Sequence, residues 1–166
     1  MDAWLRRIDG AIEILAACGV LVYCAAAAIS VADVVGRRLG MPIVGVVDLV
    51  QLCVLSGAWL CIPWAFTAGA HVGVDFVLDR IPPGAARAFH LLAAAAAIAL
   101  MALILWKSWG AWRMQALLGD RSQQLGIPMG FFWIPLLIGA AASLIAAATI
   151  VIRLLTGRAT ATSQAH

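Results

Sequence analysis

Four uncharged apolar runs, Ile14–Ala32, Leu49–Ala70, Ala88–Trp106 and Ser122–Ile152, fill most of this 166-residue chain. An α-helix needs roughly 20 apolar residues to cross the hydrocarbon of a bilayer, so each run is long enough to span. Composition excludes folding in water. Charged residues make up 11% of the chain and the mean hydropathy is +1.02, whereas a soluble domain keeps about 25% charged residues on its surface. The expected fold is therefore an all-α integral membrane protein with four transmembrane helices and both termini on the same side. One domain over 1–158 holds helices at about 11–35, 44–66, 85–113 and 130–154, with Gly126–Gly130 outside the last of them, and a polar tail follows at 159–166. Four helices alone make a thin bundle, so a protein partner is expected beside the lipid bilayer.

The remaining composition narrows the class. The net charge of +3 is spread over the connections rather than gathered into a basic run, so nucleic acid is not an expected ligand. Cys18, Cys24, Cys53 and Cys61 all lie in apolar runs without C-x-x-C spacing. They read as small hydrophobic side chains, not as disulfides or metal ligands. Leu15-Ala16-Ala17-Cys18 has the look of a lipoprotein cleavage site, but Asp9 and Glu13 interrupt the hydrophobic region that a signal would need, and an uncleaved first span is expected. Arginine and lysine divide six to five between the two sides of a four-span topology, which leaves orientation undecided by the positive-inside rule.

Local signals set the connections. The first helix is expected to stop near Gly36-Arg37-Arg38, where guanidinium groups are costly in hydrocarbon. A short turn containing Pro42 leads to Asp48 in the first turn of the second helix, where the helix dipole favours a carboxylate. The hairpin is short enough for Arg37 or Arg38 to reach Asp48; the other reading is three separately solvated charges. Pro63 removes one backbone hydrogen bond, so a kink is expected near Leu60. Pro82-Pro83-Gly84 closes the following connection. Trp106, Lys107, Trp109, Trp112 and Arg113 form an interfacial mixture at the end of the third helix, with Trp106, Trp109 and Arg113 on one face. In the fourth helix Gly139, Ser143 and Ala147 recur every four residues, a stripe that lets another helix approach closely.

Candidate chemistry is sparse. Gln51 and His90 are the strongly polar groups within the spans, and neither has an evident partner for a proton relay or ion site. No nucleophile arrangement, phosphate loop or metal motif is present, so the chain is not expected to be an enzyme and no cofactor is expected. His71 and His90 raise one alternative, a haem- or quinone-binding membrane anchor of a redox complex. Both fall near the same end of helices two and three, whereas haem ligands should project inward from the spans.

Asp33-Val34-Val35-Gly36-Arg37-Arg38 with Pro42, Asp48-Leu49, and above all Gly69-Ala70-His71-Val72-Gly73-Val74-Asp75 resemble the small membrane subunit (DctQ-like) of tripartite ATP-independent periplasmic (TRAP) transporters. Ser122-Gln123-Gln124-Leu125-Gly126-Ile127-Pro128, with Pro135 and Gly139, is similar to the closing segment of that family. Asp48 stands where the family usually has Glu, one methylene longer with the same charge. The resemblance implies a multi-pass protein of the bacterial inner membrane with cytoplasmic termini. It further implies a large (DctM-like) membrane subunit as partner, a periplasmic substrate-binding protein, and ion-coupled uptake of a small organic acid such as a dicarboxylate. Arg37, Arg38, Asp48, His71, Asp75, Pro128, Gly139 and Ser143 are the candidate interface or structural residues. His71 and Asp75, four apart, would fall on one side of a helical turn and serve docking or folding of their connection; the plainer reading is that they solvate a membrane-surface turn.

Overall fold

The computed structural model describes residues 2–68 and 83–155. Four helices account for nearly all of them: α1 (Asp2–Arg38), α2 (Val46–Thr67), α3 (Pro83–Leu118) and α4 (Gly130–Leu155). Each contains a stretch long and apolar enough to cross a membrane: Trp4–Arg38, Val46–Thr67, Leu91–Leu118 and Gly130–Ile152.

Two helices are much longer than a bilayer requires. At 37 and 36 residues, α1 and α3 each extend about 55 Å at 1.5 Å per residue. The expected limits at 11 and 113 reflect where charge makes hydrocarbon unfavourable. Arg6, Arg7, Asp9 and Glu13 do not break a helix, however, and α1 runs back through them. Pro83 opens α3, in keeping with proline at a first helical turn, where its missing N–H has no partner to lose.

Helices α1 and α3 end in the same way. Gly40 and Gly119 take the left-handed conformation, with φ of 77° and 68°. Behind them Met41 N–H bonds Gly36 C=O at 2.8 Å and Asp120 N–H bonds Gln115 C=O at 3.1 Å. These are Schellman closures, which satisfy carbonyls that a helix end otherwise leaves open.

The helices lie side by side in the order α1, α2, α4, α3, with α1 touching α4 only slightly and α3 resting chiefly on α4. This is closer to a row than to a closed bundle, and both outer helices keep broad apolar faces outside the packing. Ile14, Leu21, Val31, Leu92, Leu103 and Trp106 are all exposed.

Small residues make the contacts inside the row. Where α1 crosses α2, a side-chain carbon added at Gly19 would lie 2.6 Å from Cys61 Sγ and 3.0 Å from Gly57 C=O, and one added at Gly57 would lie 2.9 Å from the Tyr23 ring. Between α2 and α4 the Gly139, Ser143 and Ala147 stripe is turned inward: Ser143 is 0% and Ala147 1% exposed. A carbon added at Gly139 would fall on the Trp59 carbonyl. That carbonyl is the one Pro63, four residues on and buried, cannot bond because it has no N–H. The freed oxygen is thus covered by the Cα of Gly139, a C–H···O approach of the kind found at close helix pairs. The stripe packs the chain against itself, and Ser143 Oγ returns its proton to Gly139 C=O at 2.7 Å.

Candidate functional site at the loop end of the row

The α1–α2 turn and the α3–α4 connection meet at one end of the row, and two carboxylates hold them there. Asp33, 5% exposed, binds within its own neighbourhood. Its Oδ2 accepts from Arg37 Nε at 2.7 Å, one helical turn on, and its Oδ1 accepts the Ile43 N–H at 3.0 Å from the turn. The turn is thereby tied to the helix it follows.

Asp48, also 5% exposed, reaches across the sequence instead. Its Oδ2 accepts the N–H of Gln124 at 3.0 Å and of Leu125 at 2.7 Å, and the Ser122 side chain is a further hydrogen-bond partner. Asp48 is the third residue of α2 after the cap Gly45, so its charge also meets the positive end of that helix. Gly45 is left-handed, with φ of 76°, and Leu125 lies over its Cα, where any side chain at position 45 would collide with it.

The segment that Asp48 grips is a compact hairpin. Asp120 C=O accepts from Met129 N–H at 3.1 Å, Ser122 N–H donates to Ile127 C=O at 2.8 Å, and Ser122 Oγ accepts the Ile127 N–H at 2.9 Å. Arg121 and Pro128 face each other as an isolated antiparallel bridge, and Gly126 turns the chain with φ of 67°. Pro128 then leads into α4, its C=O accepting from Phe131 N–H at 3.1 Å. A side-chain bond from Trp133 Nε1 to Gln115 Oε1 at 2.7 Å holds the bases of α3 and α4 together. Between this hairpin, α2 and α4 lies a cleft of about 450 Å³.

Of the two readings open for these charges, an arginine reaching Asp48 or three separately solvated groups, the structure shows a third arrangement. Arg37 is bound to Asp33, while Asp48 is held by backbone N–H groups from the far connection, so the two carboxylates form independent clamps. Arg38 is exposed. Gly139 and Ser143 lie inside the row and Pro128 beside the clamp. His71 and Asp75 lie outside the described residues, as does the tail at 159–166. Among the described residues no three His, Cys, Asp or Glu side chains gather as a metal site would require.

Asp33, Gly45, Ser122 and Leu125 were not among the site residues expected from the sequence. The i, i+4 spacing of Asp33 and Arg37 was a usable signal. Nothing local linked Asp48 to Leu125, 77 residues away.

These features define a multi-pass helical membrane protein whose polar groups serve to join its own connections. The family model described as "Tripartite ATP-independent periplasmic transporters, DctQ component" matches residues 26–157, from the second half of α1 to the end of α4, and the chain belongs to that family. It is a transport protein, the small permease subunit of a TRAP transporter, and thus one component of a three-part system. No individual curated protein matches it.

Proposed function

We propose that this subunit braces a large DctM-like permease component in the bacterial inner membrane, with its termini in the cytoplasm, while that component carries a small organic acid such as a dicarboxylate. A periplasmic binding protein delivers the substrate, and an ion gradient drives uptake.

One observation carries the reading: among the described residues the two buried carboxylates, Asp33 and Asp48, are both engaged inside the chain, at one end of the row, by Arg37 and by backbone N–H groups. Coupling a cation or binding an anion at mid-membrane calls for ionisable groups that face a pathway. Here the polar groups fasten loops, and the outer faces of α1 and α3 offer apolar area to a neighbour or to lipid. The chain carries no catalysis or cofactor of its own in this reading. His71 and Asp75 serve docking of the connection after α2.

The test is co-expression of a tagged copy with the large component, followed by purification in mild detergent. A stoichiometric complex is expected. Recovery of the small subunit alone, with the large component present in the same membranes, would refute bracing.

A further inference from the structure

The uncharged runs of the four helices do not lie level with one another in the row. One transverse layer can be followed across it. Gly19 of α1 meets Gly57, Leu60 and Cys61 of α2, and Gly139 of α4 meets Trp59 of α2. Leu105, Trp106 and Trp109 of α3 line a groove with Leu137, Ile138 and Ala141 of α4. Gly19, Trp59, Gly139 and Trp106 therefore stand at nearly the same height along the helix axes.

From that layer toward the loop end, at 1.5 Å per residue, uncharged helix continues for about 20 Å on α1 to Ala32, about 15 Å on α2 back to Leu49 and about 13 Å on α4 back to Gly130. On α3 it stops at once, because Lys107 follows Trp106. Toward the other end the order reverses, with about 8 Å on α1 back to Ile14, about 20 Å on α4 to Ile152 and about 27 Å on α3 back to Ala88. Each of these three helices carries close to one hydrocarbon thickness of roughly 30 Å, but the centre of the band moves by about 20 Å from α1 to α3. Neighbouring helix axes lie about 8–10 Å apart, so such a step across the row corresponds to a lean of roughly 35°, inside the 0–40° range of transmembrane helices. An upright row would instead hold the exposed Lys107 level with Gly139, well inside the span of α4, where a cation is costly.

We infer that the row leans by roughly 35° in the bilayer, with Trp106, Lys107 and Trp109 meeting the phospholipid head groups on the loop side and α3 beyond them standing outside hydrocarbon. The contact suits that surface. Trp106 and Trp109 are both exposed, and the Lys107 ammonium lies 5.4 Å from the centre of the Trp106 ring, a pairing of amphipathic ring and cation fitted to the boundary between lipid and water. The lean also accounts for the two long outer helices. The charged start of α1, through Glu13, leaves hydrocarbon on one face, and the end of α3, from Lys107 to Leu118, leaves it on the other.

The test measures depth at paired positions of the full chain in vesicles of phosphatidylethanolamine and phosphatidylglycerol, with the four cysteines replaced by alanine and a nitroxide label on one introduced cysteine at a time. Val31 and Leu118 are both exposed and stand equally far from the layer on the loop side; Trp4 and Leu92, also exposed, form a nearly level pair on the other side. Collisions with oxygen and with a water-soluble nickel chelate should place Val31→Cys and Leu92→Cys in hydrocarbon and Leu118→Cys and Trp4→Cys in water, with the members of each pair about 15 Å apart in depth, as the lean and the helix spacing require. Hydrogen exchange of the unaltered chain in the same vesicles gives a second reading that needs no substitution: amides at 109–118 should exchange while those at 22–31 stay protected. Equal depth within each pair, or equal protection of the two segments, overturns the inference and leaves an upright row with Lys107 inside the membrane.

Discussion

Replacing Gly139 with alanine adds one carbon at the tightest contact between α2 and α4. That carbon would fall on the Trp59 carbonyl oxygen and lie 2.6 Å from the carbonyl carbon. The obstacle is backbone, which cannot rotate aside, so the helices must part. Opening a packed contact by 0.5–1 Å forfeits about a quarter to a half of its dispersion energy, and overpacking of this kind costs about 2–3 kcal/mol. Alanine returns about 1 kcal/mol of helix propensity, leaving a net loss of roughly 1–2 kcal/mol. For a chain of this size that lowers Tm by about 2–8 °C. Gly110→Ala in α3 is the control, because nothing lies within 4 Å of the added carbon and the propensity gain stands unopposed. Thermal unfolding in mild detergent should separate the two variants, with Gly139→Ala lower. Equal melting would refute the reasoning. Pro63→Ala should reduce the cost of Gly139→Ala, because an N–H at position 63 would draw the Trp59 carbonyl back into its own helix; a double-mutant cycle measures that coupling.

The clamp at the loop end gives two further tests. Asp48→Lys should remove hydrogen-exchange protection at the Gln124 and Leu125 amides and leave Ile43 protected, and adding Arg37→Asp should not restore it, since Arg37 belongs to Asp33; restoration would show that the two charges do meet. Gly45→Ala, strained by about 1–2 kcal/mol in the left-handed region and obstructed by Leu125, should expose the 120–129 hairpin to proteolysis, and an unchanged cleavage pattern would count against the docking of Leu125. His71→Ala should lower complex yield and uptake together without changing substrate affinity of the isolated binding protein. Loss of a haem absorbance band in that variant, with assembly intact, would favour a redox anchor.

The number and placement of helices were legible because apolar runs of about 20 residues admit one outcome in a membrane. Their ends were less so. Arg6 and Glu13 mark where hydrocarbon becomes unfavourable, yet a helix passes through both without penalty, and only the Schellman glycines Gly40 and Gly119 mark true ends. The Gly139 stripe was visible as a packing face. Its partner, the carbonyl freed by Pro63, could be found only once α2 and α4 were known to lie side by side. The dipole of α2 accounts for Asp48 in its first turn, but closeness in sequence points its charge to Arg37 and Arg38. The actual partners are amides, a feature every residue type but proline carries, so no pattern of side chains could point to Gln124 and Leu125.

Bracing is tested most directly by uptake into vesicles holding the large permease component, supplied with its binding protein, with and without this subunit. Uptake should depend on the small subunit, fall with Gly139→Ala in step with lost complex, and leave no haem absorbance in the purified chain. Equal uptake when the subunit is omitted, with the large component stable on its own, would contradict that role.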